Sequence, residues 1–194
     1  VGPFKGGDSP LRLAPGPALR ERHQLVQLRR KKADVLPQLP PKVVSRVFLA
    51  LSPSQRATYD RAEREGVIEL RNRGEAIRIE HVLALITRLK QICNFCPTTG
   101  QSAKLDDLLE RMATLTAEGH RAIVFSQFTD GSYGCRALAA GMKRHRPLIY
   151  TGELSASERD AVIEEFKANA ERQALVLSLR AGGQGLNLQD ASYV

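Results

Sequence analysis

The chain has 194 residues, 42% of them apolar and 26% charged, with three cysteines and a formal net charge of +8. That apolar content is ample for one sizeable core, and no run of about 18 apolar residues is present, which excludes a membrane-spanning helix. An odd, small number of cysteines points to reduced thiols in an intracellular protein rather than a disulfide framework, and the N-terminus lacks the apolar stretch of a secretory signal.

The positive charge is unevenly placed. Residues 11–46 hold nine Lys/Arg against Glu21 and Asp34, a local net charge of +7. A basic stretch this concentrated suits an anionic partner such as a nucleic-acid backbone, although a solvated, flexible arm has the same composition.

Residues 1–17 are rich in Gly and Pro and read as an irregular linker. A basic helix is predicted over Ala18 to Val35, ended by Pro37, and the three prolines in Leu36 to Lys42 require extended chain. Val43 to Leu51, β-branched and alternating, is predicted as a strand. Ser52-Pro-Ser-Gln55 is a helix start, with Ser52 as cap, Pro53 at the first helical position and Gln55 completing a capping box. The helix should run to about Arg73, with Gly66 as its weak point and Gly74 as its stop. A second helix is predicted from Glu75 to Asn94, where Ile79, Val82, Leu83, Ile86, Leu89, Ile92 and Cys93 recur at helical spacing. The two form a hairpin. Cys93-Asn-Phe-Cys96 has the spacing of half a zinc site, but only Cys135 remains and a structural site needs four ligands. Core thiols near a helix end are the preferred reading, and no metal site is predicted.

After a turn at Pro97 to Gln101, helices and short apolar segments alternate. Lys104 to Ala117 is predicted as a helix with Leu105, Leu108, Leu109, Met112 and Leu115 on one face, closed by Gly119. A strand at Ala122 to Phe125, a helix at Ser132 to Arg144 and a strand at Pro147 to Tyr150 follow. A second capping box, Ser155-Ala-Ser-Glu158, opens a helix carrying Val162, Ile163 and Phe166. Ala174 to Leu179, interrupted only by Ser178, is a core strand. This alternation predicts an α/β fold with a parallel sheet covered on both faces. Behind the last strand come Arg180 and then Gly182, Gly183 and Gly185. The loop lies at the carboxyl end of a strand, where open α/β sheets place ligands, and it is not a Walker A loop because no Gly-Lys-Ser/Thr follows. Spacing alone also allows a plain glycine turn.

The wording of this stretch is more specific. Leu177-Ser-Leu-Arg-Ala-Gly-Gly-Gln-Gly-Leu-Asn-Leu188 resembles the fifth helicase motif of the Swi/Snf-type ATPases, which are DNA translocases and chromatin remodellers of helicase superfamily two. Four further stretches resemble the family in the right order: Leu28-Arg-Arg-Lys-Lys-Ala-Asp-Val-Leu-Pro-Gln-Leu-Pro-Pro-Lys42, Leu89-Lys-Gln-Ile-Cys-Asn94, Ile123-Val-Phe-Ser-Gln-Phe128, and Tyr150-Thr-Gly-Glu153 with Arg159. The resemblance covers roughly residues 25 to 194 and implies a RecA-like parallel sheet with helices on both faces and an inserted helical hairpin. It divides the chain into a linker and basic arm (1–42), a helical protrusion (43–100) and a second RecA-like lobe (101–194) that is C-terminally incomplete.

The same resemblance implies the second motor lobe of an ATP-dependent double-stranded DNA translocase or remodeller. It places Ser126, Gln127, Thr151, Gly152, Arg159, Ser178 and Arg180 on the DNA side, joined by Arg29, Arg30, Lys31 and Lys32 of the basic arm. Gly183, Gly185 and Asn187 are expected to face ATP held between two lobes. Leu179 stands where many relatives carry Thr, which removes one hydroxyl. ATP and Mg would be bound mainly by the first RecA-like lobe, the implied protein partner, and the location would be cytoplasmic (nucleoid) or nuclear. The chain carries no Walker A lysine, no Asp-Glu pair of the Walker B kind and no sixth motif with its arginine finger, so it is expected not to hydrolyse ATP alone. No catalytic residue is assigned, and His23, His81, His120 and His145 have no ligand spacing. Two alternatives are a non-catalytic DNA- or protein-binding module built on a degenerate lobe, and a strand-separating helicase of the same superfamily.

Overall fold

Short runs of Val, Ile and Leu, each bounded by polar or glycine-rich chain, give three parallel strands in this computed structural model: β1 (Ala122–Ser126), β2 (Leu148–Tyr150) and β3 (Ala174–Ser178). The structure describes Pro17, Glu21 and Arg22, residues 43–182 and residues 186–194. The chain divides into a unit of Val1–Val47 and a unit of Phe48–Val194. Apart from Glu21 and Arg22, the predicted basic helix and the proline stretch, with Arg29, Arg30, Lys31 and Lys32, fall outside the described residues, as do Gly183 and Gly185.

The strand order is β1-β3-β2, with Ser126 opposite Ser178 and Tyr150 opposite Leu177. Every residue of the central strand β3 is buried. Its alternation supplies both faces. Ala174 and Val176 join Met112, Ala122, Cys135, Ala139 and Met142 on one side, under α3 (Ala103–Ala117) and α4 (Cys135–Gly141). Leu175 and Leu177 join Ile123, Tyr150 and Phe166 on the other, under α5 (Ala156–Ala168) and the returning segment with Leu186, Leu188 and Ala191. The predicted parallel sheet with helices on both faces is present. A fourth strand starts to add outside β1, where Ala122 pairs with Tyr193 and the Ile123 N–H donates to the Tyr193 carbonyl at 2.9 Å.

Helix ends follow local chemistry. α1 (Pro53–Arg73) starts with the full Ser52–Gln55 capping box, and α5 with the full Ser155–Glu158 box. α3 ends in a Schellman motif: Gly119 has φ 77°, its N–H donates to the Thr116 carbonyl, and the His120 N–H to that of Leu115.

Three expectations need correction. Val43 to Leu51 forms no strand; nearly all of it is exposed, and β-branched alternation makes a strand only where a neighbouring strand receives it. α2 runs Ile79–Asn94 rather than from Glu75, because Gly74 at φ 52° starts a 3₁₀ turn and the His81 Nδ1 accepts the Arg78 N–H at 3.1 Å to open the helix there. α4 starts at Cys135 rather than Ser132, because the Asp130 carboxylate accepts the Ser132 and Tyr133 N–H groups and holds them in a turn. Gly66, the expected weak point of α1, is buried where α1 meets α2, and a Cβ there would lie 2.3 Å from Leu85 Cδ1.

Candidate functional site

Parallel strands in register bring their carboxyl ends to one rim, so Ser126, Ser178 and Thr151 stand side by side. All three side chains are buried. The Ser126 hydroxyl accepts the Phe128 N–H at 3.2 Å and the Ser178 hydroxyl accepts the Ala181 N–H at 3.3 Å. These hydroxyls shape the loops that leave the strands, as Ser and Thr do in turns. Exposed next to these strand ends are Gln127, Gly152 and Arg180, with the apolar Leu179 between Ser178 and Arg180, and Asn187 is exposed on the returning segment.

Arg159 lies half-buried on α5 and turns back on the loop after β2. Its Nε donates to the Leu154 carbonyl at 3.0 Å and its guanidinium to the Gly152 carbonyl at 3.3 Å. From the far side, Arg136 of α4 pairs with Glu153 of the same loop. The loop Thr151 to Ser155 is braced from two helices, and Gly152 has open space around its missing side chain.

The glycine loop is pinned at both ends. At its start, the Gly182 N–H donates to the Ser178 carbonyl at 2.9 Å, and a Cβ on Gly182 would lie 2.7 Å from Phe125 and 2.9 Å from Leu177. At its end, Leu186 and Leu188 pack into the core beside Phe166. Arg121 locks the return. Its guanidinium stacks on the Phe166 ring at 4.6 Å, donates to the Phe166 carbonyl, and reaches the Asp190 carbonyl at 3.2 Å and its carboxylate at 3.4 Å. Sequence reasoning missed Arg121, Asp190 and Gly134, and in the sequence only Gly134 gave a signal, as the second glycine of a turn-rich run. A Cβ on Gly134 would lie 2.3 Å from the Phe128 carbonyl carbon.

The cysteines are separate thiols. Cys96 is 1% exposed. Burial pushes its thiol up, but hydrogen bonds from Thr98, Thr99 and Thr58 outweigh that and bring it down to about 5. Burial raises the Cys135 thiol. Among the described residues, no group of three or more His, Cys, Asp or Glu is placed to hold a metal ion. The buried His145 is held between Arg144 and Gln173 at 2.9 Å each.

A parallel sheet with a glycine loop and braced turns at one rim, preceded by a helical hairpin, defines a RecA-like lobe of the helicase class. The profile of the helicase conserved C-terminal domain matches residues 100–194, and that of the SNF2-related domain matches residues 17–97. A protein of Bacillus subtilis strain 168 named as an ATP-dependent helicase/translocase, YwqA, is 31% identical over 179 residues, covering 86% of this chain and 19% of its own length. The SWI/SNF-related matrix-associated actin-dependent regulator of chromatin subfamily A member 1 of Mus musculus is 30% identical over 187 residues, covering 86% of this chain and 17% of its own. Two solved structures from Sulfolobus solfataricus are each 26% identical. The SWI2/SNF2 ATPase C-terminal domain has a TM-score of 0.64 over 75% of this chain and 67% of its own. The SWI2/SNF2 ATPase core in complex with dsDNA has a TM-score of 0.60 over 90% and 40%. The chain belongs to the Swi/Snf-type family of helicase superfamily two and has the fold of that family's C-terminal RecA-like lobe. It spans less than a fifth of the length of these two curated relatives.

Proposed function

We propose that the chain is the second motor lobe of an ATP-dependent double-stranded DNA translocase or remodeller, holding the DNA backbone at its rim and completing an inter-lobe ATP site. The observation that carries this reading is the row of three strand ends whose buried hydroxyls and bracing arginines present Gln127, Gly152 and Arg180 together. Side-chain amides, exposed backbone N–H groups and arginine are the groups that hold phosphates without reading sequence. Ser126, Thr151, Ser178 and Arg159 act by shaping the loops that carry them. Arg29, Arg30, Lys31 and Lys32 add electrostatic attraction to the duplex. Gly183, Gly185 and Asn187 face the nucleotide, and the first lobe supplies most of the contacts to ATP and Mg. The protein works where duplex DNA is, in the nucleoid or the nucleus; no helix among the described residues is long and apolar enough to cross a membrane.

The test is the ATPase rate of the full-length enzyme across a DNA titration. Arg180→Ala removes a charge-assisted contact of about 1.5–3 kcal/mol, so DNA should stimulate only at a concentration raised by roughly tenfold or more. Gly185→Val, a β-branched residue in a glycine loop, should lower turnover even at saturating DNA. Equal shifts in DNA requirement with maximal turnover intact would place the whole loop in the DNA grip.

A further inference from the structure

Asn94 closes α2 where the hairpin meets the rim. Its Nδ2 donates to the Tyr133 carbonyl at 3.1 Å, and its Oδ1 accepts from the Lys104 ammonium at 2.9 Å. Lysine only donates, so this contact fixes which end of the amide turns toward Tyr133. Tyr133 belongs to the loop that begins at Gln127, and that loop is closed on itself by short-range bonds. The Phe128 N–H donates to the Ser126 hydroxyl, the Ser132 and Tyr133 N–H groups to the Asp130 carboxylate at 2.8 and 2.7 Å, and the Cys135 N–H to the Phe128 carbonyl at 2.9 Å. Gly134 lets the loop lie flat against its own beginning. A loop stitched in this way moves as one body, so a tie from outside sets where Gln127 stands.

We propose that Asn94 is a positioning residue for DNA binding: it ties the base of the hairpin to the loop that presents Gln127, through the Tyr133 carbonyl. The proposal rests on the reading of the rim as DNA-facing and adds that the hairpin and the rim are mechanically joined. Gln55, buried beneath α2, hydrogen-bonds the Ile92 carbonyl at 2.9 Å, so the helix end carrying Asn94 is itself held in place.

The experiment compares full-length enzymes carrying Asn94→Asp, Asn94→Ala or Gln127→Ala in ATPase assays across a duplex DNA titration, with melting temperatures alongside. Asn94→Asp keeps the size and the acceptor for Lys104 but cannot donate to Tyr133. Asn94→Ala removes the tie without setting a carboxylate against a carbonyl. Both should raise the half-saturating DNA concentration by about threefold to tenfold, the worth of one ordinary hydrogen bond, with maximal turnover within about twofold of wild type. Gln127→Ala should raise it too. If Gln127→Ala raises the DNA requirement and neither Asn94 variant does, the positioning role falls and the rim reading stands. If Gln127→Ala leaves it unchanged, the rim reading itself fails. Asn94 variants that lose maximal turnover or melting temperature at an unchanged DNA requirement overturn the proposal in favour of a merely structural contact.

Discussion

Single side chains decide how the pieces of this lobe are joined, and two of them make sharp predictions. Gln55 was legible as the third residue of a capping box, but its larger role was not, because the partners are distant in sequence. The buried amide takes the Ala103 N–H at 3.0 Å and gives to the Ile92 carbonyl at 2.9 Å, so it staples the starts of α1 and α3 to the end of α2. Gln55→Ala leaves the buried Ile92 carbonyl and the half-buried Ala103 N–H without this partner and should cost about 1–3 kcal/mol in urea unfolding, the usual cost of one orphaned buried group. Gly134 is the other case. Its added methyl would meet backbone rather than a movable side-chain tip, so Gly134→Ala should destabilise by about 1–3 kcal/mol and raise the DNA requirement with it. Gly134→Ala with an unchanged melting temperature would contradict that packing.

Elements were legible to the degree that their signals were local. Both capping boxes, the Gly74 and Gly119 stops and all three strands could be read, because each is written within a few residues. The hairpin's packing face could not. α2 carries apolar residues around more than half its circumference, and periodicity cannot say which arc meets α1. Leu89 and Ile92 lie on the covered side, whereas Ile79, Val82, Leu83 and Ile86 are exposed. For α5 the cap yields a pH prediction. The Ser155 hydroxyl and N–H both donate to the Glu158 carboxylate, at 2.7 and 2.8 Å, and hold its pKa below the usual carboxylate value. Folding therefore favours the charged form, so the stabilisation is present above the unfolded-state pKa of about 4.3 and is lost as pH falls through the lower folded value. Glu158→Gln, which keeps a capping side chain without the charge, should be less stable than wild type at neutral pH. The gap should close in thermal melts as pH drops through the region below about 4.3. A gap that widened toward acid would contradict the assignment.

At the scale of the whole molecule, five motifs in order indicated the fold and the family, while the site was legible only as a set of positions. Ser126, Thr151 and Ser178 are buried at the strand ends, and the Ser126 and Ser178 hydroxyls bond to their own loops. Arg159 likewise spends its guanidinium on loop carbonyls. Burial of a strand-end hydroxyl depends on the turn that follows it, which a motif does not encode. The brace of Arg121 on Phe166 and Asp190 joins residues 45 and 69 positions apart and left no trace in the local pattern. The proposed role of this lobe is half of a DNA-dependent motor, supplying grip and a nucleotide-facing loop but no phosphate-binding lysine or acidic pair. It is tested most directly by ATP turnover of the purified chain and of the full-length enzyme, each with and without duplex DNA. Background turnover is expected for the chain in both conditions and DNA-stimulated turnover for the full-length enzyme; DNA-stimulated hydrolysis by the chain alone, or a full-length rate indifferent to DNA, would contradict that role.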